Sequence, residues 1–599
     1  MGGTGRPGSW TVRVRHAPYL AAADLDRRLG DPADEGRLFS YARCGALDDR
    51  EEFPLEICRE LDLLGLHRQY VPYRHGGELR SYEQVLQLMR AVARRDLTVA
   101  VAHGKTFLGA VSVWVGGDAR QIRETAARVA DGAVVSWGLT ERDHGSDLLA
   151  GEVTARRDGG HYRLDGEKWL INNANRGQLI CVLARTKDTE GPRGFSLLMV
   201  DKQRLDRSAY RPLPQVRLHG IRGADISGIA FTDAKIPGAS LVGAEGEGSE
   251  IVLKSLQLTR TLCAALSLGA ADHALALATG YALDRHAYGD RLADLPQTRR
   301  LLAQSYADVL LAEATTLVAG RALHTLTGEL ATVSAVTKYF VPSLVDRVVA
   351  RLSTVLGARS LLVGDTYEHG RFQKLQRDHR IVGIFDGNTV VNLHALINLF
   401  PLLARQWRRG TVDETGLAAA TTLGADLPDF DRDALSLLPR TGCSVVQALA
   451  PGVRELSALA ARGELPAGVA RRAEGVLAAA EGLAAELDGY RPTAVDVPAS
   501  AFTLAERYAW CFAASAAVHL WLRNRHAVAE AGADAGHTAE LWQDGRWLEA
   551  ALARVLDHLG TSWPDATDDV LERLVPTLIA QHESGQLPSL LHHPLKVSA

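Results

Sequence analysis

The sequence predicts an α+β fold that is mostly helical, with one antiparallel β-domain between helical blocks. Two observations lead to this class. Apolar residues recur at helical spacing through most of the chain, but between about residues 131 and 246 their period falls to two. In that central region, Asp-Gly pairs stand between the alternating runs, which is a strong signal for hairpin turns. The 599 residues are enough for several domains.

Changes in periodicity divide the chain into six predicted parts. Gly, Pro and Asp interrupt the first part, so we expect a loose tail with a little helix, and the fifth part has few periodic runs, so we expect an irregular connection. The parts are an N-terminal tail (1–38), an N-terminal helical domain (39–130), a middle β-domain (131–246), a C-terminal helical bundle (247–407), a linker (408–440) and an additional helical domain (441–599).

The clearest strands of the β-domain are residues 153–157 and 161–164, which an Asp-Gly-Gly turn separates. A second pair, Asp165-Gly166, predicts another turn before a strand at 167–171. Further strands are predicted at 179–185, 195–200 and 228–231. These alternating runs indicate a compact antiparallel sheet.

The bundle is predicted from long runs rich in Ala and Leu, which can pack as antiparallel helices. We predict helices at 253–285, 301–326, 330–356 and 389–400. The additional domain is also helical, and it contains no glycine loop and no metal-spaced cluster. We expect its apolar faces to be buried against the bundle or against a second subunit.

Composition and charge exclude several classes of function. A net charge of -4 and a pI near 6.6 predict neither a nucleic-acid binder nor a binder of anionic membranes. The six cysteines never approach CxxC spacing, so we expect no disulfide framework, no metal site and a cytoplasmic location. No run is long enough to span a bilayer without charges, and we therefore expect no membrane span.

The stretch 134–147 carries the most chemical information. It begins as an apolar strand and ends in a polar turn that contains Gly145. Trp137 and Leu139 can present one face, while Thr140 and Ser146 offer hydroxyl groups beside it. This combination suits a flat, partly polar ring, although an ordinary strand followed by a turn has the same pattern.

Four motifs in sequence order resemble those of the acyl-CoA dehydrogenase family, over roughly residues 40–405. Each motif alone is weak, but their order and spacing together are specific. The motifs are Leu139-Thr140-Glu141 with Gly145-Ser146-Asp147, Asp165-Gly166-Glu167-Lys168-Trp169 with Ile171-Asn172-Asn173-Ala174, Arg285-His286-Ala287-Tyr288-Gly289 with Leu292 and Gln297, and Phe385-Asp386-Gly387. The resemblance implies the family's fold and FAD as the cofactor.

The resemblance also implies how FAD is held. Thr140 would bond the pyrimidine side of the flavin ring, Ser146 would lie near the flavin and the substrate's carrier arm, and Asn172 stands where the family usually has Thr or Ser near N5. Arg285 would meet the diphosphate through its forked guanidinium, in part across a subunit interface. The full cofactor set is Trp137, Leu139, Thr140, Gly145, Ser146, Trp169, Asn172, Arg285, Tyr288, Gln297, Gly357, Asn388 and Thr389.

Three positions depart from the family pattern near the cofactor. Thr354 replaces a Gln, Ala358 replaces the second Gly of Leu-Gly-Gly, and Val390 belongs to a segment where Thr-x-Gln is usual. The amides of Asn388 and Thr389 at a helix N-terminus can restore this contact. The alternative is that the cofactor is lost and a scaffold remains.

Asp386 is the predicted catalytic base, because it stands where most members of the family have Glu. It is one methylene shorter, so its carboxylate falls back by roughly 1.5 Å, a misplacement that can cost on the order of 100-fold in rate. The alternative is that Asp386 caps the helix at 389–400, a role that Asn388 could fill equally well. Arg260 is predicted to line the active site beside Asp386.

Several polar residues near these motifs are predicted to be structural. Glu141 and Asp147 are expected to pair with Arg142 or with backbone amides, rather than to act as bases. His144 is expected to make a polar contact, and His103 to be a satisfied core or helix-end histidine.

The resemblance implies α,β-dehydrogenation of an acyl thioester, with Asp386 taking the α proton and flavin N5 the β hydride. The expected partners are acyl-CoA or an acyl carrier protein, an electron-transfer flavoprotein or oxygen as acceptor, and a second copy in a homodimer or homotetramer. An Arg- and Ala-rich, Lys-poor composition suggests a high-GC bacterium, in which natural-product biosynthesis is a plausible setting.

Two other functions stay open at this level. A flavin oxidase or monooxygenase of the same fold would act on a non-thioester substrate, and nitroalkane oxidases of this fold carry an aspartate as base. A non-catalytic or nucleic-acid-binding relative would need a strongly basic face, and the charge balance does not support one.

Overall fold

The computed structural model describes residues 16–493, 496–530, 536–561 and 567–595. The first 15 residues of the predicted tail, and parts of the predicted additional domain, therefore lie outside the described residues. The rest of the tail contains a helix whose apolar face is buried. The N-terminal helices are α1 (Ala17–Leu29), α2 (Tyr41–Asp49), α3 (Leu55–Leu63), α4 (Tyr82–Arg95), α5 (Leu97–Gly116) and α6 (Ala119–Ala130).

Side-chain caps set the limits of the helices that lead to the site. Ser81 accepts a hydrogen bond from the N–H of Gln84 and begins α4. Asp96 ends that helix and begins α5, because its carboxylate accepts the N–H of Val99. The sharp turn between α4 and α5 lets the mostly apolar α5 run through the core, where it contacts β1 and the helical bundle.

The middle domain is one eight-stranded sheet with the order β6-β7-β3-β2-β4-β5-β8, and β1 lies beside β4. Most neighbours are antiparallel, as predicted, but β1 and β2 each pair with β4 in parallel. The strands are β1 (Val135–Gly138), β2 (Thr154–Asp158), β3 (His161–Asn172), β4 (Leu179–Arg185), β5 (Phe195–Asp201), β6 (Tyr210–Leu213), β7 (Ile226–Pro237) and β8 (Leu241–Val242).

The second predicted hairpin turn, at Asp165-Gly166, is wrong. Strand β3 continues through this pair and is bulged between Leu164 and Gly166, where its register against β7 shifts. Gly166 takes a φ of 119°, and a Cβ there would come within 2.9 Å of Val153. The Asp-Gly pair therefore makes a bulge instead of a turn, because a long partner strand is available on that side.

The bundle comes next and is helical, as predicted, but two of its predicted helices have different bounds. The helices are α7 (Gly248–Leu262), α8 (Ala264–Asp284), α9 (Pro296–Thr325), α10 (Leu330–Leu356), α11 (Arg371–His379) and α12 (Thr389–Arg409), with a small hairpin of β9 (His286–Ala287) and β10 (Asp290–Arg291) after α8. The run 253–285 is two helices that break at Cys263, and α12 continues through Pro401.

Further helices cover one side of the bundle and pack on α9, α10 and α12. The predicted linker is not wholly irregular, because it contains a helix, α13, that packs on α9. Asp308 on α9 pairs with Arg554 at 2.8 Å, and Phe340 on α10 meets the ring of Trp510 edge to face at 4.7 Å. These helices are α13 (Glu414–Thr421), α14 (Ser444–Gln447), α15 (Leu449–Ala461), α16 (Ala467–Gly489), α17 (Ala499–Glu530), α18 (Thr538–Trp542), α19 (Arg546–His558), α20 (Thr567–Glu572) and α21 (Val575–Glu583).

Two stretches are long and apolar enough to cross a membrane by composition, namely α5 and the pair α7–α8 (Gly248–Asp284). In the fold, 72% of the first apolar window and 89% of the second are buried inside the protein. Both stretches therefore have the packing of core helices, and their apolar character is explained by the bundle and the sheet around them.

Candidate functional site

The turn after β1 meets the start of α12, and this contact places two of the four sequence motifs together. The side-chain amide of Asn388 donates a hydrogen bond to the hydroxyl of Ser146 over 3.2 Å. Gly145 lies beside this contact on an exposed turn, and a Cβ added there would meet no atom within 4 Å. The motif around Ser146 and the segment that contains Asp386 thus lie side by side where the β-domain meets the bundle, and we call this junction the cleft.

The first two motifs are joined to each other by hydrogen bonds. The hydroxyl of Thr140 donates to the carbonyl of Trp169 at 2.7 Å, and the N–H of Trp169 donates to the carbonyl of Thr140 at 3.0 Å. Leu139 offers its carbonyl to the buried ammonium of Lys168 at 2.9 Å. These bonds fix the relative position of the β1 turn and the end of β3.

Glu141 is structural and bonds backbone amides, as predicted, but its charged partner is Lys168 and not Arg142. Its carboxylate accepts hydrogen bonds from Lys168 at 2.7 Å and from the N–H groups of Glu152 and Val153. Burial alone would raise the pKa of Glu141, but these donors outweigh burial and hold that pKa below its usual value. Arg142 pairs with Glu167 instead and covers the ring of Trp169.

His103 is a satisfied core histidine, as predicted. Its Nδ1 lies 2.7 Å from the hydroxyl of Tyr70, and its Nε2 lies 3.0 Å from the carboxylate of Asp62. Both ring nitrogens therefore have partners on the side of α5 that faces away from Asp386.

Three buried polar groups around the cleft have no hydrogen-bond partner among the described residues. Both polar atoms of the Asn172 side chain are buried without a partner, as is the indole N–H of Trp137. The hydroxyl of Thr259 on α7 is a third such group. Leaving these groups unpaired costs free energy, so they fit a bound ring that offers both donors and acceptors along its edge. The isoalloxazine of FAD is such a ring.

Asp386 lies in the loop before α12 with a left-handed backbone, at a φ of 55°. Its side chain is only 9% exposed. One carboxylate oxygen lies 3.5 Å from the ammonium of Lys105, and the other accepts the thiol of Cys263 at 3.3 Å. Burial, and then the negative charge of Asp386, raise the pKa of Cys263 to about 12, so this thiol keeps its proton and acts as the donor.

The helix-cap alternative for Asp386 is excluded by the geometry. The Oδ1 of Asn388 accepts the N–H of Val391 at 2.9 Å, so Asn388 is the cap of α12. The carboxylate of Asp386 is therefore free of that role. Its backbone carbonyl accepts the Nε of Arg260 at 2.9 Å, and a Cβ on Gly387 would come within 2.7 Å of that guanidinium. Arg260 thus holds the loop through its backbone.

Four predicted cofactor residues lie on the surface of the single chain, apart from the cleft. Tyr288 is 99% exposed at the tip of the β9–β10 hairpin, and Arg285, Gln297 and Gly357 are also exposed. Within the described residues, no hydrogen bond, ion pair or ring contact joins them to the turn around Ser146. Their predicted contact with the cofactor stays a prediction.

Sequence reasoning missed Lys105, Lys338 and Cys263 as residues of the site. Lys338 is buried on α10, donates to the carbonyl of Val382 at 2.6 Å and lies 5.4 Å from the centre of the Phe385 ring. One signal could have revealed Lys105. It is the one Lys, Arg, Asp or Glu in the 20 residues of α5, and such a charge in an apolar helix usually has a specific partner.

Family models match two consecutive parts of the chain. Residues 136–234 match the acyl-CoA dehydrogenase middle domain, and residues 246–397 match the acyl-CoA dehydrogenase C-terminal domain. Residues 136–234 and 246–397 are therefore the middle and C-terminal domains of an acyl-CoA dehydrogenase. The chain is an oxidoreductase related to a family that depends on FAD.

Curated relatives are similar over the same region. The probable acyl-CoA dehydrogenase FadE25 of Mycobacterium tuberculosis is 26% identical over 346 residues, which are 58% of this chain and 87% of the relative. The 3-(aryl)acrylate reductase of Clostridium sporogenes is 25% identical over 348 residues, again 58% of this chain and 90% of the relative.

Solved structures extend the likeness in fold to the added helices. An acyl-CoA dehydrogenase of Bacillus anthracis complexed with FAD is similar over 94% of this chain and 95% of its own, with a TM-score of 0.67 and 18% identity. The prolyl acyl carrier protein oxidase AnaB is similar over 64% of this chain and 99% of its own, with a TM-score of 0.58 and 17% identity. At these identities the likeness concerns the fold alone.

Proposed function

We propose that this protein catalyses the FAD-dependent α,β-dehydrogenation of an acyl thioester, with Asp386 as the base. The observation that carries the proposal is the position of the Asp386 carboxylate. It is buried, it does not cap α12, and its loop is tied to the β1 turn by the contact between Asn388 and Ser146. Proton removal from carbon needs a carboxylate that is held in place, because small misplacements are costly.

In the proposed reaction, Asp386 takes a proton from the α carbon, and the electrons of that C–H bond form the new α,β double bond as hydride leaves the β carbon. When bound, FAD supplies the two-electron acceptor for that hydride. Cys263 and Lys105 orient the carboxylate from its two oxygens, and Arg260 fixes the backbone that carries it.

The cleft residues would hold the flavin ring, and the exposed motif after α8 would reach the rest of FAD. Asn172 and Trp137 bring unpaired polar groups to the cleft, and Asn388 and Thr389 bring the N-terminus of α12. The hydroxyl of Thr140 already donates to Trp169, so it would accept a hydrogen bond from the flavin. Since Arg285, Tyr288 and Gln297 are exposed on one chain, we infer that they act from or towards a second copy in a homodimer or homotetramer.

The carrier and the electron acceptor are part of the same proposal. The acyl group would be carried by coenzyme A or by an acyl carrier protein, and reduced FAD would pass electrons to an electron-transfer flavoprotein or to oxygen. A cytoplasmic location and a role in natural-product biosynthesis fit the composition of the chain.

A flavin oxidase or monooxygenase is the second candidate, and the short side chain of Asp386 favours it. Because Asp is one methylene shorter than the usual Glu, its carboxylate reaches roughly 1.5 Å less far into the site. This shorter reach suits a substrate whose reacting carbon is placed differently. In this case the substrate would not be a thioester.

Product analysis separates these candidates. The FAD-loaded protein is incubated with a panel of acyl-CoA and acyl carrier protein thioesters, and products are analysed by mass spectrometry, in air and with an electron-transfer flavoprotein. Loss of two hydrogens from a thioester supports dehydrogenation, and the more effective acceptor identifies the second partner. Oxygen incorporation, or turnover of non-thioester substrates alone, would replace the proposal by the second candidate.

A further inference from the structure

Three cations surround the loop that carries the base, and we call Lys105, Arg260 and Lys338 the cationic cluster. They belong to α5, α7 and α10, so three separate helices place a positive charge beside one loop. The ammonium of Lys105 lies 3.6 Å from the centre of the Phe385 ring, and that of Lys338 lies 5.4 Å from it. The ring thus lies within reach of two ammonium groups, and Arg260 bonds the next residue.

The cluster holds more positive than negative charge. Lys105 pairs with Asp386, whereas Arg260 and Lys338 donate to the neutral backbone carbonyls of Asp386 and Val382. Among the described residues, neither Arg260 nor Lys338 has a carboxylate within ion-pair distance. Asp62 lies 3.0 Å from the ring of His103. His103 points away from Lys105, because the two residues lie two positions apart on a helix.

All three cations are largely withdrawn from solvent. The side chain of Lys105 is 12% exposed, and Arg260 and Lys338 are 9% and 1% exposed. Burying a cation that has no carboxylate partner costs free energy. Burial lowers the pKa of Lys338 to about 8, which still leaves most of its ammonium charged at neutral pH. Such an excess of positive charge is expected in a site whose ligand supplies the negative charge.

We propose that the cationic cluster selects acyl groups that carry a carboxylate, so that the substrate is a carboxyacyl thioester. This inference rests on the proposed function and names the substrate class of the same site. The anion must lie close to the reacting carbons, because Lys105 already contacts the carboxylate that would meet the α carbon. Phosphates of a carrier arm are separated from that carbon by the length of the arm.

The test compares acyl groups that differ only in charge. Glutaryl-CoA and adipyl-CoA are each measured against their monomethyl esters, so that the carrier and its phosphates are the same within a pair. The FAD-loaded wild type should oxidise the free acids with a kcat/KM at least about tenfold above the esters, since a hydrogen bond to a charged group is worth at least that factor.

Substitutions then assign the preference to the cluster. Lys105→Met should reduce the ratio of acid to ester by on the order of 10- to 100-fold, and Lys105→Arg should retain most of it. Lys254→Met is the matched control, because Lys254 is a partly exposed lysine on α7 that pairs with Glu250, and it should leave the ratio unchanged.

Three outcomes overturn the inference. Equal oxidation of acids and esters by the wild type, which needs no variant, would show that the charge excess is not used for substrate selection. Equal losses on both substrates in Lys105→Met would make Lys105 a positioning residue for Asp386 instead. If no thioester is oxidised by any form, the proposed function itself is wrong, and this inference falls with it.

Discussion

The helical bundle meets the β-domain on one side and the added helices on the other. Buried polar groups at these two contacts differ in their hydrogen-bond partners. Towards the added helices, Asp308 is paired with both Arg351 and Arg554, and its oxygens are satisfied. Towards the β-domain, the hydroxyl of Thr259 and both amide atoms of Asn172 are buried without partners. Within the described part of the chain, the side of the added helices also buries unpaired groups, the hydroxyl of Tyr490 and the indole N–H of Trp547 among them. An unpaired group therefore indicates a ligand only where, as at Asn172, it lies in a motif predicted to hold the cofactor.

Charged side chains on the two sides also differ in their partners. Glu313 on α9 accepts the hydroxyl of Ser589 and the N–H of Leu590, so the end of the chain is bonded to the bundle. Arg260 and Lys338, on the other side, have only neutral acceptors. The difference implies that substitutions on the first side change stability alone, whereas substitutions on the second side can change catalysis as well.

The largest effect is expected for Asp386→Asn, which removes the base with little change in shape. Turnover of thioesters should fall by on the order of 10²- to 10⁴-fold, with the FAD content unchanged. Steady-state kinetics and flavin absorbance measure the two quantities. Asp433→Asn, at an exposed carboxylate, is the control. Turnover near the wild-type rate would exclude Asp386 as the base.

On the stabilised side, Asp308→Asn should lower the free energy of unfolding by roughly 3–5 kcal/mol, because it leaves Arg351 without an anion and Arg554 with Asp557 alone. Urea unfolding measures this change. Glu464→Gln, in the exposed pair with Arg462, is the control and should change the free energy of unfolding far less. A loss in Asp308→Asn as small as in this control would contradict the assignment of that side to stability.

The charge of Lys338 predicts a dependence of stability on pH. Its pKa is about 8 in the fold, against 10.5 for an ordinary lysine, chiefly because of burial. Between these values the unfolded chain binds more protons, so the stability should rise as the pH increases from 8 towards 10.5. Unfolding curves across this range should show the rise in the wild type and a smaller one in Lys338→Met. Parallel curves for the two proteins would mean that Lys338 is not perturbed.

The smallest effect is expected at the contact between the two sides of the cleft. Asn388→Ala removes the cap of α12 and should cost about 1 kcal/mol of stability, together with some affinity for FAD. Asn388→Asp retains a capping oxygen, so it should recover the stability. Thermal unfolding and FAD titration check both changes. An unchanged melting temperature in Asn388→Ala would contradict the capping role.

Local sequence patterns were sufficient for the fold class and for much of the cleft. Periodicity identified the helices and most of the strands, and the contact between Ser146 and Asn388 joins two motifs that the sequence had singled out. Tertiary contacts explain what was missed. At Gly166 the strand continues and pairs with β7, although the local sequence predicts a turn. Lys105 contacts Asp386, which is 281 positions away in the sequence. No local pattern reports such a contact.

The roles of Arg285 and Tyr288 show a different limit. Both stand in a recognisable motif, yet both are exposed on the single chain. A contact that depends on a second copy cannot be read from the structure of one chain. Their place in the site therefore depends on measuring the oligomeric state.

The central claim is that the cleft between the β-domain and the bundle holds FAD and uses it to oxidise a thioester. The most direct measurement is the visible absorbance of the purified, FAD-reconstituted protein during anaerobic addition of acyl thioesters. We predict a bound flavin spectrum that bleaches with at least one thioester. A protein that retains no flavin, or a flavin that stays oxidised with every thioester while another substrate reduces it, would contradict the claim.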